Sequence, residues 1–351
     1  MLIIGCDFHT RYQQIAMAND EGGELLLERR LDHQSGEAHA FYRSLHGPVR
    51  VGIEATGPIH WFERLLTELG HELWIGDAAK IRASEVRKQK TDERDARLIL
   101  ELLLAKRFPK IWVPTPVERD LRQLLWHRHK LVCLRTMLSN QLHFLAMSQG
   151  LCRKQKLFSK KGRMELQSLG LAPWASRRRE ELLKLLDQLD SPIAELDRAV
   201  LEEAKRREEA VRLMTHPGIG PVNALAFVLT IGPVARFRRS RKLVSYLGLN
   251  PTEESSGGRR RLGGISKQGN TMVRWLLVEA AQQAMRFDAA LRQDYLRLKF
   301  RRGHAVAKVA IARKLAVRMY WMLRSGADYA QLVRRQGSPG GTLVNASSPL
   351  A

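Results

Sequence analysis

Short runs of apolar residues alternate with longer stretches of helical spacing in the first part of the chain. The helical spacing appears as Trp61, Leu65 and Leu69 on one face, and again over 91–106. The apolar runs predict strands at Leu2–Cys6, Gln14–Ala18, Leu25–Leu27, Val49–Ile53 and Glu72–Ile75. Three strands followed by helix, strand and helix predict an α/β domain with a mixed sheet and helices packed on it.

Beyond residue 110 the apolar spacing is helical and continues so to about residue 335. Leucines recur every three, four or seven residues over 121–145, and a second series runs over 182–200. Both series are typical of coiled-coil seams, and the buried face of an ordinary helical bundle gives the same spacing. Ser191-Pro192 marks a point where the second helix can kink or restart. Residues 154–179, between the two series, are interpreted as a basic connector.

The predicted fold class is therefore α/β plus mainly α, in four parts. Residues 1–110 form the α/β domain, and 111–206 contain a proline-marked linker and the long helices. Residues 207–335 form a helical carboxy-terminal domain. We expect 336–351 to be a disordered tail, because it begins with a stretch rich in glycine, serine and proline.

The net charge of the chain indicates the chemical class of its binding partner. The 351 residues include 59 Lys and Arg against 36 Asp and Glu, a net charge of +23, which favours a polyanion such as nucleic acid. The three cysteines, Cys6, Cys133 and Cys152, are too far apart in sequence to indicate a disulfide framework or a zinc site. No apolar run approaches the roughly 20 residues of a membrane span, and no charged leader precedes the first strand. We expect a cytoplasmic protein without a membrane partner.

Four acidic residues stand where two strands end and where a helix begins. Asp7 and Glu54 each follow an apolar run, and Asp92 and Asp95 are three residues apart, so a helix projects both from one face. Glu93 points away from that face. Carboxylates brought together in this way hold divalent metals such as Mg²⁺. Singly, each has a simpler interpretation as a helix cap or a solvated strand end.

A glycine turn in the second half has the pattern of a helix-hairpin-helix. Gly218 and Gly220 permit a tight turn, and exposed amides at the start of the next helix can hold a phosphate of nucleic acid. A purely structural connection between two helices remains the alternative.

A second glycine-rich segment places two hydroxyls beside three arginines. Ser255 and Ser256 precede Gly257, and a serine that attacks a phosphodiester needs its developing charge neutralised, a task suited to arginine. A basic phosphate-binding loop with solvated serines is the alternative. The candidate nucleic-acid contacts that the residues of this segment indicate are Arg259, Arg260 and Arg261.

The segments GCDFHT, GIEATGPIHW and KTDERDARLI closely resemble the three acidic motifs of the insertion-sequence-110 transposases. That family comprises DEDD recombinases related to Piv-type invertases, known as bridge-RNA-guided recombinases. The resemblance implies a RuvC-like, ribonuclease-H-like amino-terminal domain. It also implies that the residues binding catalytic Mg²⁺ are Asp7, Glu54, Asp92 and Asp95.

The carboxy-terminal half resembles the same family independently, through its GLxP…SG…G…SK.GN..R pattern. The resemblance implies that the nucleophile is Ser256, with Ser255 as a one-residue ambiguity. Lys267, Asn270 and Arg274 would order the loop or contact phosphate. It further implies a covalent phosphoserine intermediate on donor and target DNA, a structured guide RNA, dimers that assemble into a tetramer, and a bacterial, nucleoid-associated location.

Two other functions are compatible with the residues alone. In a metal-only nuclease resembling a Holliday-junction resolvase, the acidic residues hydrolyse DNA and Ser256 is structural. In a catalytically silent nucleic-acid scaffold, neither set reacts. The intact acidic set argues against the scaffold, and the complete serine loop argues against the simple nuclease.

Overall fold

The computed structural model describes residues 1–57, 59–84, 91–153, 156–255, 259 and 261–337, with the backbone alone at 335–337. Contacts divide the chain into two compact units, Met1–Val113 and Pro114–Ala351. The finer boundaries at residues 206 and 335 stay predictions, and most of the expected tail, 338–351, lies outside the described residues. The two units are described separately below.

A five-stranded sheet forms the centre of the amino-terminal unit. Its strands are ordered β3-β2-β1-β4-β5. The first three form an antiparallel meander, whereas β4 and β5 run parallel to β1. This mixed sheet is compatible with the ribonuclease-H-like domain expected from the sequence, and all five predicted strands are present. Their bounds are β1 Leu2–Phe8, β2 Tyr12–Asn19, β3 Leu25–Asp32, β4 Val49–Glu54 and β5 Glu72–Gly76.

Helices cover both faces of this sheet, because side chains alternate along each strand. Ile4 and Cys6 of β1 share a buried cluster with Tyr42 and Phe62 of the first two helices. Ile3, on the opposite face, is buried in a cluster with residues of the fourth helix. The first and third helices were not predicted from the sequence. The helices are α1 Glu37–Ser44, α2 His60–Glu68, α3 Ala78–Ala83 and α4 Asp92–Leu104.

The carboxy-terminal unit is helical apart from one small hairpin. Its core surrounds α9, where Phe227 is fully buried among residues of α11 and α12. A break at Gly303, with φ +82°, divides α12. The elements are α5 Pro116–Ser148, α6 Lys160–Gln167, α7 Pro173–Lys205, α8 Glu208–Met214, α9 Pro221–Ile231, α10 Ser240–Tyr246, β6 Pro251–Glu253, β7 Leu262–Ile265, α11 Thr271–Phe287, α12 Ala289–Ser325 and α13 Tyr329–Gly337.

The two long leucine series lie on α5 and α7 and pack against each other within one chain. Leu142 and Leu186 belong to the same buried cluster. Ion pairs Arg128–Asp197 and Arg135–Asp190 show that the helices run antiparallel. A coiled coil between copies of the chain stays a prediction. Within the described residues, no helix combines the length and apolarity needed to cross a bilayer.

The region between these series differs from the predicted connector. It contains α6 and the first turns of α7, and α7 continues through Pro192 without restarting. Arg179 accounts for part of the difference, because it is buried and donates hydrogen bonds to the carbonyl oxygens of Leu166 and Gln167 at the end of α6. A basic residue that the sequence analysis assigned to a basic connector therefore bonds the carbonyl oxygens at the end of a helix.

Candidate metal centre and serine loop

Asp7 and Glu54 lie at the ends of neighbouring parallel strands. Cys6 of β1 pairs with Ile53 of β4, so the two carboxylates come one residue later on each strand. A β-carbon added to Gly5 would meet the backbone of α4, and one added to Gly52 would meet a side chain of α4. Since side chains alternate, Asp7 and Glu54 project toward the same side of the sheet, where α4 packs.

The first turn of α4 supplies the other two carboxylates. Thr91 caps the helix, and its hydroxyl accepts a hydrogen bond from the Arg94 amide at 3.4 Å. Asp92 and Asp95 are half-buried, whereas Glu93 between them is exposed. Carboxylates in a first turn are stabilised by the exposed amides of the helix start. The helix therefore presents one pair of acids toward the sheet and leaves Glu93 in solvent.

His9 joins Asp7 and Asp92. Its Nε2 lies 3.0 Å from Oδ2 of Asp7 and 3.5 Å from Oδ2 of Asp92, and one ligand atom from each of the three residues falls within 4.8 Å of the others. The Tyr12 hydroxyl donates a hydrogen bond to the same Asp92 oxygen at 2.8 Å. Sequence reasoning missed His9, although it lies inside the first acidic motif and two residues beyond Asp7, the spacing that puts side chains on one side of a strand.

Burial and the neighbouring negative charges disfavour the ionised form of the Asp7 carboxyl group. Burial raises the pKa of the Asp7 carboxyl, His9 opposes that shift, and the negative charges of Asp95 and Asp92 raise the pKa further. A bound cation relieves this kind of crowding. Two carboxylates and an imidazole also form a donor set that divalent metals accept. The residues present therefore fit a divalent metal ion.

Glu54 and Asp95 take different positions relative to this cluster. Glu54 accepts a hydrogen bond from Nη2 of Arg82 on α3 at 3.3 Å, and it is not one of the three residues whose ligand atoms converge. Asp95 is near enough for its charge to act on Asp7. The structure thus brings together two of the four predicted carboxylates with an unpredicted histidine, and ligation by Glu54 and Asp95 stays a prediction.

The predicted nucleophile, Ser256, lies outside the described residues, as do Gly257, Gly258 and Arg260. The neighbouring hydroxyl of Ser255 is engaged. It donates to Oε1 of Glu253 at 2.8 Å and accepts from the Arg261 amide at 3.2 Å. Arg259 and Arg261 are exposed, and the β6–β7 pair holds the two ends of the loop together.

Asn270 and Arg274, at the start of α11, both use their side chains to bond the backbone. Oδ1 of Asn270 caps α11 by accepting from the Val273 amide at 3.1 Å. Arg274 is buried and donates to the carbonyl oxygens of Leu247 and Gln268. The contacts of Arg274 join the start of α11 to the backbone at Leu247 and Gln268. Direct contact with nucleic acid stays a prediction for Asn270 and Arg274, and also for the exposed Lys267.

Comparison with known proteins places both halves of the chain in one family. The pattern of an IS110-type DEDD transposase domain matches residues 4–146, and that of the "Transposase IS116/IS110/IS902 family" matches 210–296. The "Probable family 20 transposase" of Pseudomonas aeruginosa is 32% identical over 336 residues, covering 92% of this chain and 96% of that protein. The chain belongs to the IS110/IS116/IS902 family of transposases.

Other transposases also match this chain over most of its length. The "Transposase for insertion sequence element IS1111A" of Coxiella burnetii is 31% identical, covering 93% of this chain and 91% of the relative. The corresponding protein for element IS1328 of Yersinia enterocolitica is 28% identical over 79% and 84% of the two chains. A transposase cleaves and joins DNA, and the DEDD domain together with the acidic cluster suggests a divalent metal ion.

The glycine turn of this transposase lies between α8 and α9. Gly218 has φ +88°, and a β-carbon there would lie 2.5 Å from the backbone nitrogen of Ala284 on α11, so only glycine fits. Gly220 is the residue before α9, with extended backbone. The turn thus packs the segment that precedes α9 against α11. Phosphate binding through a helix-hairpin-helix stays a prediction.

Proposed function

We propose that this transposase exchanges DNA strands through a covalent phosphoserine intermediate on Ser256, assisted by Mg²⁺ in the amino-terminal unit. The observation that carries the proposal is the convergence of Asp7, His9 and Asp92 at the ends of two different elements. The proposed ligands are the DEDD carboxylates Asp7, Glu54, Asp92 and Asp95, with His9 beside them. Bound Mg²⁺ supplies positive charge that stabilises a phosphorane.

The proposed chemistry conserves the number of phosphodiester bonds. Oγ of Ser256 forms a bond to the scissile phosphorus as the bond to the 3′ oxygen breaks. The serine proton passes to a base, and the departing oxygen takes up a proton to become a 3′-hydroxyl. In the second step, the 3′-hydroxyl of a partner strand attacks the phosphoserine and releases the serine, so strands are exchanged without hydrolysis.

The contacts of the described residues support these roles. Tyr12 holds Asp92 by a hydrogen bond, which fixes the direction of one proposed ligand. The Ser255 hydroxyl is already engaged with Glu253 and the Arg261 amide, an arrangement that shapes the loop and favours Ser256 as the reacting hydroxyl. Arg259 and Arg261 are exposed and suited to neutralise phosphate oxygens.

Trapping the intermediate tests this proposal. A suicide DNA substrate, nicked so that the released fragment diffuses away, should leave protein covalently attached to DNA on a denaturing gel. Ser256→Ala should abolish the adduct, whereas Ser255→Ala should retain it. Asp7→Asn and Asp92→Asn should also abolish it, with Glu93→Gln as the matched control on the same helix turn. An adduct that persists in Ser256→Ala would contradict the proposal.

A metal-dependent DNA nuclease without serine chemistry is the second candidate. The observation favouring it is that the cluster of Asp7, His9 and Asp92 forms within the amino-terminal unit alone. This function predicts hydrolysed products with free ends and no adduct, with full activity in Ser256→Ala. The same gel distinguishes the two functions.

We further propose that a structured guide RNA pairs with donor and target DNA, and that homodimers assemble into a tetramer. The net charge of +23 supports a large polyanionic partner. Sequencing the RNA that copurifies with the protein should yield one discrete species complementary to the DNA flanking the gene. Light scattering after gel filtration should give the mass of a dimer without DNA and of a tetramer with it.

A further inference from the structure

A group of aromatic and basic side chains, four of them exposed and two half-buried, lies on the carboxy-terminal unit. On α5, Arg122, Trp126 and His129 follow one another at spacings of four and three, so they share one face of the helix. We call the whole group the aromatic–basic surface. It consists of Arg122, Trp126, His129, Arg236, Tyr246 and Trp275.

Two tryptophans form one end of this surface. The His129 ring lies 5.1 Å from the ring of Trp275 on α11 and 6.5 Å from that of Trp126, so it bridges the two indoles. Trp126 is 37% exposed and Trp275 is 45% exposed. Exposed indoles grouped in this way are typical of a binding site, since single scattered apolar residues are the ordinary case on a protein surface.

Cations and a third aromatic ring form the other end. Arg122 donates to the carbonyl oxygen of Leu229 at 3.1 Å, and the Tyr246 hydroxyl donates to that of Thr230 at 3.3 Å. Because Leu229 and Thr230 are consecutive, Arg122 and Tyr246 meet at the end of α9. The guanidinium of Arg236 lies 4.7 Å from the centre of the Tyr246 ring. Two guanidinium groups therefore lie near the Tyr246 ring, and Trp126 follows Arg122 one turn later on the same face of α5.

The segment 254–270, which we call the serine loop, ends beside the same surface. Nδ2 of Asn270, the residue that ends this loop, donates to the hydroxyl of Thr230 at 3.4 Å. Thr230 is also the residue that holds Tyr246. Trp275 lies on the first turns of α11, directly beyond Asn270. The surface therefore adjoins Asn270, the residue at which the serine loop meets α11.

We propose that the aromatic–basic surface binds a single strand of DNA beside the serine loop, with bases stacked on Trp126 and Trp275 and phosphates held by the exposed Arg236. Cations beside exposed rings suit unpaired nucleotides, because a duplex hides the faces of its bases. The choice of DNA rests on the proposed function, in which the serine loop acts on a DNA strand that must leave its duplex. A protein partner is disfavoured by the clustered positive charge.

Binding by the full-length Ser256→Ala protein tests the surface without requiring catalysis. A fluorescein-labelled single-stranded DNA of mixed sequence, titrated with protein, should give a rise in anisotropy. Trp126→Ala and Trp275→Ala should each weaken binding by about fivefold or more, and the double variant by about thirtyfold. Phenylalanine at either position should restore most of the affinity, since it retains a stacking face. Arg236→Gln should reduce the dependence of affinity on salt.

Trp174→Ala is the matched control, because Trp174 on α7 is 78% exposed and lies outside the surface. It should leave binding unchanged. The proposal is overturned if the double variant binds as tightly as its parent, if Trp174→Ala loses as much, or if RNA of the same sequence binds more tightly through the same tryptophans. The adduct assay is separate, so loss of the adduct with intact tryptophan-dependent binding would refute only the serine mechanism.

Discussion

Gly5 of β1 and Ala96 of α4 are in backbone contact: a β-carbon on Gly5 would lie 2.2 Å from the carbonyl oxygen of Ala96. Asp7 comes two residues after Gly5, and Asp92 comes one helical turn before Ala96. The absence of a side chain at Gly5 therefore sets how closely the two carboxylates approach each other.

Gly5→Ala should move α4 away from the sheet. We expect a loss of at least about 1–3 kcal/mol in the free energy of unfolding, the usual cost of overfilling a packed core, because the contact is with backbone that cannot rotate aside. Urea denaturation measures the loss. Gly22→Ala is the control, since Gly22 lies in an exposed turn with its nearest potential contact at 4.0 Å. Equal stability of the two variants would contradict the backbone contact.

The cluster of Asp7, His9 and Asp92 should bind a divalent metal, and binding should stabilise the fold. At a metal concentration of one hundred times the dissociation constant, the gain is about 2.7 kcal/mol. Thermal unfolding with and without Mg²⁺ or Mn²⁺ measures it. Asp92→Asn should remove most of the gain, and Glu93→Gln, which changes an exposed neighbour, should retain it. A gain of the same size in Asp92→Asn would argue for metal binding elsewhere.

His216 should make the carboxy-terminal unit less stable in mild acid. Burial lowers the pKa of this histidine to about 4 from an ordinary 6.5, and within the described residues its Nε2 has no hydrogen-bond partner. Between these values the unfolded chain takes up a proton that the folded chain refuses, so stability falls as the pH falls. From pH 6.5 to 5 we expect a loss of about 2 kcal/mol.

Urea unfolding at the two pH values checks this, with His216→Asn as the test variant. The amide can replace the Nδ1 contact with the carbonyl oxygen of Pro217, which lies 2.8 Å from the ring, but it takes up no proton. The variant should therefore lose about 2 kcal/mol less than the parent over this interval. His127→Asn, at an exposed position of α5, should behave as the parent does. Identical pH dependence in parent and His216→Asn would refute the assignment.

Arg274→Lys should separate loop ordering from nucleic-acid contact. Lysine retains the charge but cannot reach the carbonyl oxygens of both Leu247 and Gln268, so we expect a loss of about 1–3 kcal/mol in unfolding free energy. The salt dependence of DNA binding should stay the same. Arg302→Lys, at an exposed position, is the control for stability. A lower salt dependence with unchanged stability would instead indicate a phosphate contact.

The elements with a regular apolar period were predictable from sequence, and the short polar ones were not. The five strands and α4 follow from runs and spacings that the sheet and its packing enforce. Helix α1 was missed because its eight residues bury only Ala38 and Tyr42. Helix α6 was missed because it buries only Gly162 and Leu166, and the carbonyl oxygens at its end are bonded by Arg179, a residue of α7.

In the candidate site, some residues were predictable from the local sequence, whereas others depend on contacts that only the tertiary fold creates. Asp7 and Asp92 were identified from their positions at the ends of elements. His9 was missed because its role depends on a distance to Asp92 that no local pattern contains. Similarly, the family resemblance indicated loop ordering or phosphate contact for Arg274, but the burial of its side chain and its bonds to the carbonyl oxygens of Leu247 and Gln268 depend on the folded core.

The long interval along the chain between Asp7 and Asp92 has a consequence for synthesis on the ribosome. Asp7 and His9 emerge among the first residues, but their partner carboxylate arrives only with α4, near the end of the amino-terminal unit. A nascent or prematurely terminated polypeptide that stops before Thr91 cannot assemble the three-residue cluster. Any reactivity that depends on this cluster is therefore withheld from translation products that end before α4.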